Sequence, residues 1–115
     1  MTVNLGRHAE DLAAAHMARA GWVILARNYR AGPKEIDIIA RRGHTIAFIE
    51  VKARAQGDAA YTITGLKRRH LAYAAQRWLN DNPDPTAEYR FDAITVCFKH
   101  GKQVIEHYEN AWTTT

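Results

Sequence analysis

The chain has 115 residues and a formal net charge of +4 at pH 7, with 47% hydrophobic and 24% charged residues. This composition is typical of one globular domain and excludes an intrinsically disordered chain. A single cysteine, Cys97, excludes an intramolecular disulfide, no apolar run approaches the roughly 20 residues that span a bilayer, and the N-terminus lacks a signal-peptide core. We therefore expect a cytoplasmic protein with no membrane span, whose basic charge favours nucleic acid as the partner.

Hydrophobic spacing and turn residues predict the secondary structure. The predicted elements in chain order are a helix over residues 5–20, strands over 22–29, 35–41 and 45–53, a helix over 65–79, and strands over 91–98 and 103–108. Asn4 and Thr64 are the expected N-caps of the two helices. The stretch over 55–63 is predicted to be a loop, and residues 112–115 a frayed tail. The order α-β-β-β-α-β-β predicts a single three-layer α/β domain over residues 1–115, with a mixed sheet and helices on its faces.

The second and third predicted strands contain the residues with the clearest chemical meaning. Glu50 and Lys52 interrupt an otherwise apolar strand, and their spacing of two places both side chains on one face. A buried carboxylate or ammonium is unfavourable unless it is paired or bound to metal. The turn at 42–44 pairs the two strands and can bring Asp37 to the same edge. Two carboxylates and one ammonium at one place suit Mg²⁺ or Mn²⁺ and a phosphodiester substrate.

A simpler interpretation of this strand is an outward-facing ion pair between Glu50 and Lys52, with no metal site. Spacing alone does not separate the two interpretations. Alternation along the second strand predicts Ile36, Ile38 and Ala40 on one face and Asp37 on the other.

Basic residues are clustered at the start of the second predicted helix. Lys67, Arg68 and Arg69 lie there, where backbone amides and basic side chains favour phosphate. The alternative is a solvated basic turn. Arg54 extends the same positive track toward nucleic acid, although a surface charge is the simpler interpretation for it. Asp92 is expected to cap a backbone group or to pair with an arginine.

The pattern of Asp37, Glu50 and Lys52 resembles that of the PD-(D/E)xK nuclease superfamily. Over nearly its whole length the chain also resembles the YraN family of bacterial proteins, which is similar to archaeal Holliday junction resolvases. The resemblance runs through residues 6–10, 21–30, 35–40, 48–54, 67–71, 90–96 and 107–112. The chain departs from the family at Pro33-Lys34, where the family usually has glycine directly before Glu-Ile-Asp.

The resemblance implies a restriction-endonuclease-like core, with Asp37 and Glu50 as metal ligands and Lys52 as the catalytic lysine. It also implies that Glu10, on the first helix, completes the catalytic site. We therefore predict an endonuclease-like protein that depends on Mg²⁺ or Mn²⁺ and acts on structured or branched DNA.

Two other hypotheses stay open. One is a non-catalytic nucleic-acid-binding or DNA-processing accessory module, and the other is an interaction protein that forms a homodimer. Metal binding separates the nuclease from both, and salt-dependent DNA affinity separates the accessory module from the interaction protein.

Overall fold

The computed structural model describes residues 4–55 and 63–112. The elements in chain order are helix α1 (Leu5–Arg19), strands β1 (Val23–Ala31), β2 (Lys34–Arg42) and β3 (Thr45–Ala55), helix α2 (Gly65–Asp81), and strands β4 (Glu88–Lys99) and β5 (Lys102–Trp112). The predicted α/β class is confirmed. Of the loop predicted over 55–63, residues 56–62 lie outside the described part, and Ala55 belongs to β3. Within the described residues, neither helix has the length and hydrophobicity that crossing a membrane requires.

Both helices begin at the caps predicted from the sequence. The Asn4 side chain accepts a hydrogen bond of 3.1 Å from the Arg7 amide, and the Thr64 hydroxyl accepts one of 3.2 Å from the Lys67 amide. Each bond satisfies a backbone N–H that the helix itself leaves without a partner. The cap at Thr64 therefore fixes the backbone of Lys67 in the first turn of α2.

The five strands form one mixed sheet in the order β1-β2-β3-β4-β5. Strand β2 is antiparallel to both β1 and β3, β3 and β4 are parallel, and β4 and β5 are antiparallel. A parallel pair requires a crossover connection, and the segment that contains α2 supplies it. The mixed sheet predicted from the sequence is thus confirmed.

Each helix packs on its own hydrophobic cluster, and the sheet lies between the two clusters. The α1 cluster contains Met17 of the helix with Ile38 and Ile49 of the sheet. The α2 cluster contains Trp78 of the helix with Phe48 of β3, the residue next to Ile49. Because successive side chains on a strand point to opposite faces, these clusters lie on opposite sides of the sheet. Strand β3 is therefore buried on both faces over most of its length.

The predicted alternation of β2 is wrong at its beginning. Ile36 packs in the α2 cluster, whereas Ile38 and Ala40 pack in the α1 cluster, so the three residues do not share a face. The recorded pairing of β2 with β3 runs from Arg42 and Thr45 to Ile38 and Ile49 and does not extend to Ile36. The pairing with β1 continues through Ile36 and Tyr29, so the facing of β2 changes beyond its last pair with β3 while the strand stays in the sheet.

The C-terminal tail prediction is wrong for Trp112. Trp112 belongs to β5, is 5% exposed, and has its ring centroid 5.2 Å from that of Phe91. The pairing of Phe91 with Trp112 in the β4–β5 ladder holds the backbone in place. Residues 113–115 of the predicted tail lie outside the described part of the chain.

We expect Trp112→Ala to lower the free energy of unfolding by about 3 kcal/mol, because the substitution leaves a cavity against Phe91. Urea denaturation measures this value. Val104→Ala is the matched control on the same strand, and since Val104 is 46% exposed its effect should be about 0.5 kcal/mol or less. Equal effects of the two substitutions would mean that Trp112 does not pack as described.

Candidate functional site

Asp37 and Glu50 lie where β2 and β3 separate. The last pair of the ladder is Ile38 with Ile49, so Asp37 and Glu50 are the next residues along the two strands. Both are buried, at 8% and 7% exposure. One oxygen of the Asp37 carboxylate accepts a hydrogen bond of 2.7 Å from the Val51 amide. The side chain of Asp37 thus provides an acceptor for the backbone N–H of Val51, which lies in β3 just beyond the end of the ladder.

The Asp37 carboxylate is in an electrostatically unfavourable place. Burial, followed by the charge of Glu50, raises the pKa of Asp37 from 3.8 to about 8, although the Val51 amide and the Lys67 ammonium oppose the rise. Two nearby carboxylates in a low-dielectric site disfavour simultaneous ionisation. A divalent cation favours the charged form of both groups and would remove this conflict.

The cation beside Glu50 is Lys67, from the first turn of α2. The Lys67 ammonium forms an ion pair with Oε1 of Glu50, and the two side chains are 27% and 9% exposed. Lys52 is exposed, and it is not among the residues that line the cleft around Glu50. The outward-facing pair of Glu50 with Lys52 is therefore wrong, because Glu50 is buried and bonded to another lysine. The structure also does not bring Lys52 into the cleft with Asp37 and Glu50.

The carboxylates open into a cleft of about 270 Å³. Its lining residues are Arg30, Pro33, Lys34, Glu35, Asp37, Glu50 and Lys67. Lys34 and Glu35 were not predicted from the sequence to line the site. The signal available for them was the Gly32-Pro33 turn, which returns the chain directly into β2 beside Asp37.

The tip of the β1–β2 hairpin closes one side of this cleft. Ala31 pairs with Lys34, which leaves Gly32 and Pro33 as a two-residue turn. Gly32 has a φ of 75°, a value that such turns require and that glycine adopts without strain. A Cβ at Gly32 would lie 3.1 Å from ring carbons of Tyr73, so the tip rests closely on α2. The Pro33-Lys34 departure from the family pattern is accommodated within this turn.

Glu10 approaches the site from the opposite helix. It is half-buried on α1, and its charge contributes to the raised pKa of Asp37. Burial raises the pKa of Glu10 itself, and the Arg27 charge opposes this. Within residues 4–55 and 63–112, no three His, Cys, Asp or Glu side chains gather as closely as a metal ion requires. Asp37 and Glu50 are thus the two buried carboxylates of the cleft, and Glu10 is a neighbouring charge.

The donor set of Asp37 and Glu50 fits a hard divalent cation. Mg²⁺ is usually held by one or two carboxylates together with water and substrate phosphates rather than by a complete protein cage. Two buried carboxylates at the head of an open cleft match that description. A softer metal would require sulfur or imidazole donors, which the lining residues do not supply.

The basic residues predicted to contact nucleic acid have different surroundings. Arg68 and Arg69 are exposed, and Nε of Arg68 donates a hydrogen bond of 3.2 Å to the Ile63 carbonyl. Arg54 is half-buried. A hydrogen bond to Glu106 raises the pKa of Tyr108 on β5, and the charge of Arg54 opposes this rise. Lys67 is engaged with Glu50, as described above. Arg68 and Arg69 therefore present their charge to solvent, whereas Lys67 and Arg54 are partly enclosed.

Asp92 forms a second buried carboxylate site, separate from the cleft lining. It accepts hydrogen bonds from Arg90 Nε at 3.1 Å and the Asn110 amide at 3.0 Å, and its other oxygen lies 2.7 Å from His107 Nε2. The predicted pairing of Asp92 with an arginine is confirmed. The partners lie on β4 and β5 beside the register shift between Phe91 and Ala93. Asp92 thus stabilises the irregular part of the β4–β5 pair.

Comparison with known proteins shows similarity over most of the chain. The model of the uncharacterised protein family UPF0102 matches residues 9–96. A UPF0102 protein of Parafrankia sp. is 41% identical over 112 residues, which are 94% of this chain and 95% of that protein. A UPF0102 protein of Rhodopseudomonas palustris is 48% identical over 96 residues, with coverages of 82% and 75%. One of Chloroherpeton thalassium is 39% identical over 104 residues, with coverages of 88% and 81%.

We expect Asp37→Asn to stabilise the metal-free protein more at pH 8 than at pH 5. The folded pKa of about 8 lies above the unfolded value of 3.8, so the contribution of Asp37 to stability is complete below pH 3.8 and is lost as pH rises toward 8. Asparagine keeps an acceptor for Val51 and carries no charge. Urea denaturation in chelator at both pH values measures the difference.

The control for the pH experiment is Asp81→Asn, which removes an exposed carboxylate at the end of α2. It should change the free energy of unfolding by a similar small amount at both pH values. If Asp37→Asn behaved in the same way, the Asp37 carboxylate would not be in the unfavourable environment described.

Proposed function

The chain belongs to the uncharacterised protein family UPF0102, and we propose that it is an endonuclease-like protein that uses a divalent cation to hydrolyse phosphodiester bonds of structured or branched DNA. The observation that carries this proposal is the pair of buried carboxylates, Asp37 and Glu50, at the head of an open cleft. A buried pair of like charges is unfavourable for folding. Its presence beside a substrate-sized opening supports a role in binding a cation.

In this proposal Asp37 and Glu50 hold Mg²⁺ or Mn²⁺. Such a cation polarises a phosphate and lowers the pKa of a bound water. The protein side chains have separate tasks around it. Lys52 does not line the cleft, but it follows Glu50 by two residues on β3, and we assign its exposed ammonium to orienting the attacking water and stabilising negative charge on a phosphate at the mouth of the cleft. Glu10 adds a carboxylate from α1, as in the resolvases that the sequence resembles.

Charge outside the cleft supports a nucleic-acid substrate. The net charge of +4 and the exposed guanidinium groups of Arg68 and Arg69 favour a phosphate backbone. Arg54 lies on the same strand as Lys52 and extends the basic residues toward β5. We also propose that the sheet with one helix cluster on each face is the restriction-endonuclease-like core that the resemblance implies.

A specific observation favours the accessory-module hypothesis as the second candidate. Lys67 neutralises Glu50, and the described residues contain no group of three acidic, histidine or cysteine side chains close enough for a metal. A protein with this arrangement could retain the basic surface and bind DNA without turnover. Cleavage under metal-saturating conditions distinguishes the two candidates.

We expect Mn²⁺ to bind the wild-type chain and to support cleavage of a four-way DNA junction. Asp37→Ala should abolish both, because it removes one of the two buried oxygen donors. Calorimetric titration measures binding, and gel analysis of labelled DNA measures cleavage. Asp81→Ala is the control and should retain both. DNA binding by wild type without Mn²⁺ binding or cleavage would favour the accessory module, and Mn²⁺ binding that survives Asp37→Ala would remove Asp37 from the metal site.

We expect Lys52→Ala to lower the cleavage rate by a factor of about 10² or more, as removal of a transition-state donor does. Mn²⁺ affinity should be unchanged, because the partner of Glu50 is Lys67. DNA affinity should fall only slightly, since one lysine is one phosphate contact among several. Single-turnover cleavage with matched binding measurements tests this prediction. Unchanged cleavage would assign Lys52 to the surface.

A further inference from the structure

The ion pair between Lys67 and Glu50 occupies a ligand that the proposed metal needs. Lys67 contacts Oε1 of Glu50 from the first turn of α2, and it also lines the cleft with Asp37. A divalent cation at roughly 2.0–2.6 Å from a Glu50 oxygen would lie close to the Lys67 ammonium. Two cations at one carboxylate repel each other. Lys67 and the metal therefore compete for Glu50.

The backbone of Lys67 is fixed in the helix, whereas its side chain is partly exposed to solvent. The Lys67 amide donates to the Thr64 hydroxyl at 3.2 Å, which anchors the residue in the capped first turn. Side chains in a helix lean toward its N-terminus, so the Lys67 stem leads to the N-terminal end of α2. The side chain is 27% exposed, whereas Glu50 is 9% exposed. The ammonium can thus leave Glu50 for solvent without a change in the helix.

The surroundings of Lys67 favour an anion at that end of α2. The first turn contains no acidic residue, and Lys67 and Arg68 both place positive charge there. Positive side chains at a helix N-terminus are destabilising because that end of the helix dipole is also positive. A bound phosphate would offset this repulsion. Glu50 already provides Lys67 with such a negative partner inside the protein. A phosphate of the substrate would be a negative partner for Lys67 supplied from outside the protein.

We propose that Lys67 is an internal counter-ion of Glu50 that a divalent cation displaces, and that the displaced ammonium then binds a DNA phosphate at the mouth of the cleft. The inference rests on the proposed metal site. It makes metal binding and DNA binding cooperative, because the metal frees a lysine that DNA uses. Before metal binds, the same lysine keeps Glu50 neutralised. Lys67 is a DNA-binding residue in this scheme and differs in role from Lys52.

The test compares Lys67→Met with the wild-type chain by calorimetric titration of Mn²⁺. Lys67→Met should bind Mn²⁺ about 5-fold or more tightly, a factor at the lower end of typical coupling between ligands. Arg68→Met is the matched control, because Arg68 is the adjacent, exposed cation. Its effect on Mn²⁺ affinity should be smaller, since solvent and salt screen an exposed charge.

DNA binding provides the second readout. Anisotropy of a labelled four-way junction is measured in chelator and in Ca²⁺, over times at which the DNA stays intact. Wild type should gain more DNA affinity from the cation than Lys67→Met does, because only wild type releases an ammonium. Arg68→Met should weaken DNA binding by the same factor under both conditions, since its partner in the protein is a carbonyl and not Glu50.

Thermal melting verifies that the variants are folded. Lys67→Gln serves as the second variant, because glutamine can still donate to Glu50 but has no charge, and it too should bind Mn²⁺ more tightly than wild type. Equal Mn²⁺ affinity in wild type and both folded variants would overturn the displacement and leave the metal site intact. No Mn²⁺ binding by any of the three would overturn both. Binding by the variants alone would show that the cation does not displace Lys67 in the wild-type chain, and it would overturn the proposal.

Discussion

The proximity of two buried carboxylates, Asp37 and Glu50, is the constraint on which the site depends. Ionising both groups in a low-dielectric environment is unfavourable, and the raised pKa of Asp37 expresses that conflict. The fold reduces it with the Val51 amide at one carboxylate and the Lys67 ammonium at the other. These partners come from a strand and from a helix, so the arrangement requires the whole domain.

The topology explains why charged groups from two layers can meet at one point. Where β2 and β3 separate, the sheet no longer isolates the α1 side from the α2 side. Glu10 reaches this point electrostatically from α1, and Lys67 reaches it from α2. The parallel pairing of β3 with β4 requires a crossover, and that crossover contains α2. The opening between two strands and the helical crossover thus create the cleft together.

The sequence predicted those parts of the fold that short-range physics determines. The caps Asn4 and Thr64 and the strands around Asp37 and Glu50 follow from local hydrogen bonding and apolar spacing. The facing of Ile36 could not be predicted, because a local irregularity of β2 beyond its last pair with β3 has no signal in the apolar spacing. A shift of one residue moves a side chain to the opposite face of the sheet, so this local irregularity transfers Ile36 from one hydrophobic cluster to the other.

The lysine that pairs with Glu50 also could not be predicted from local sequence patterns. E-x-K spacing favoured Lys52, since two residues along a strand share a face. The structure instead pairs Glu50 with Lys67, which is 17 positions away in sequence. Lys67 precedes the buried Leu71 by about one helical turn, so the two share a face of α2, but the path of the crossover decides what that face contacts. Trp112 is a similar case, because its burial depends on Phe91 of another strand.

Asp92 shows that burial of a charge does not by itself identify a functional site. Asp92 is fully buried, yet Arg90, His107 and Asn110 all bond to its carboxylate. Such a group has its hydrogen-bonding needs met and stabilises the strands that provide its partners. Within the described residues, the Asp37 carboxylate accepts one N–H, from Val51, and faces the charge of Glu50. The difference between the two sites is therefore an unmet need for positive charge at Asp37, which lines a cleft open to solvent.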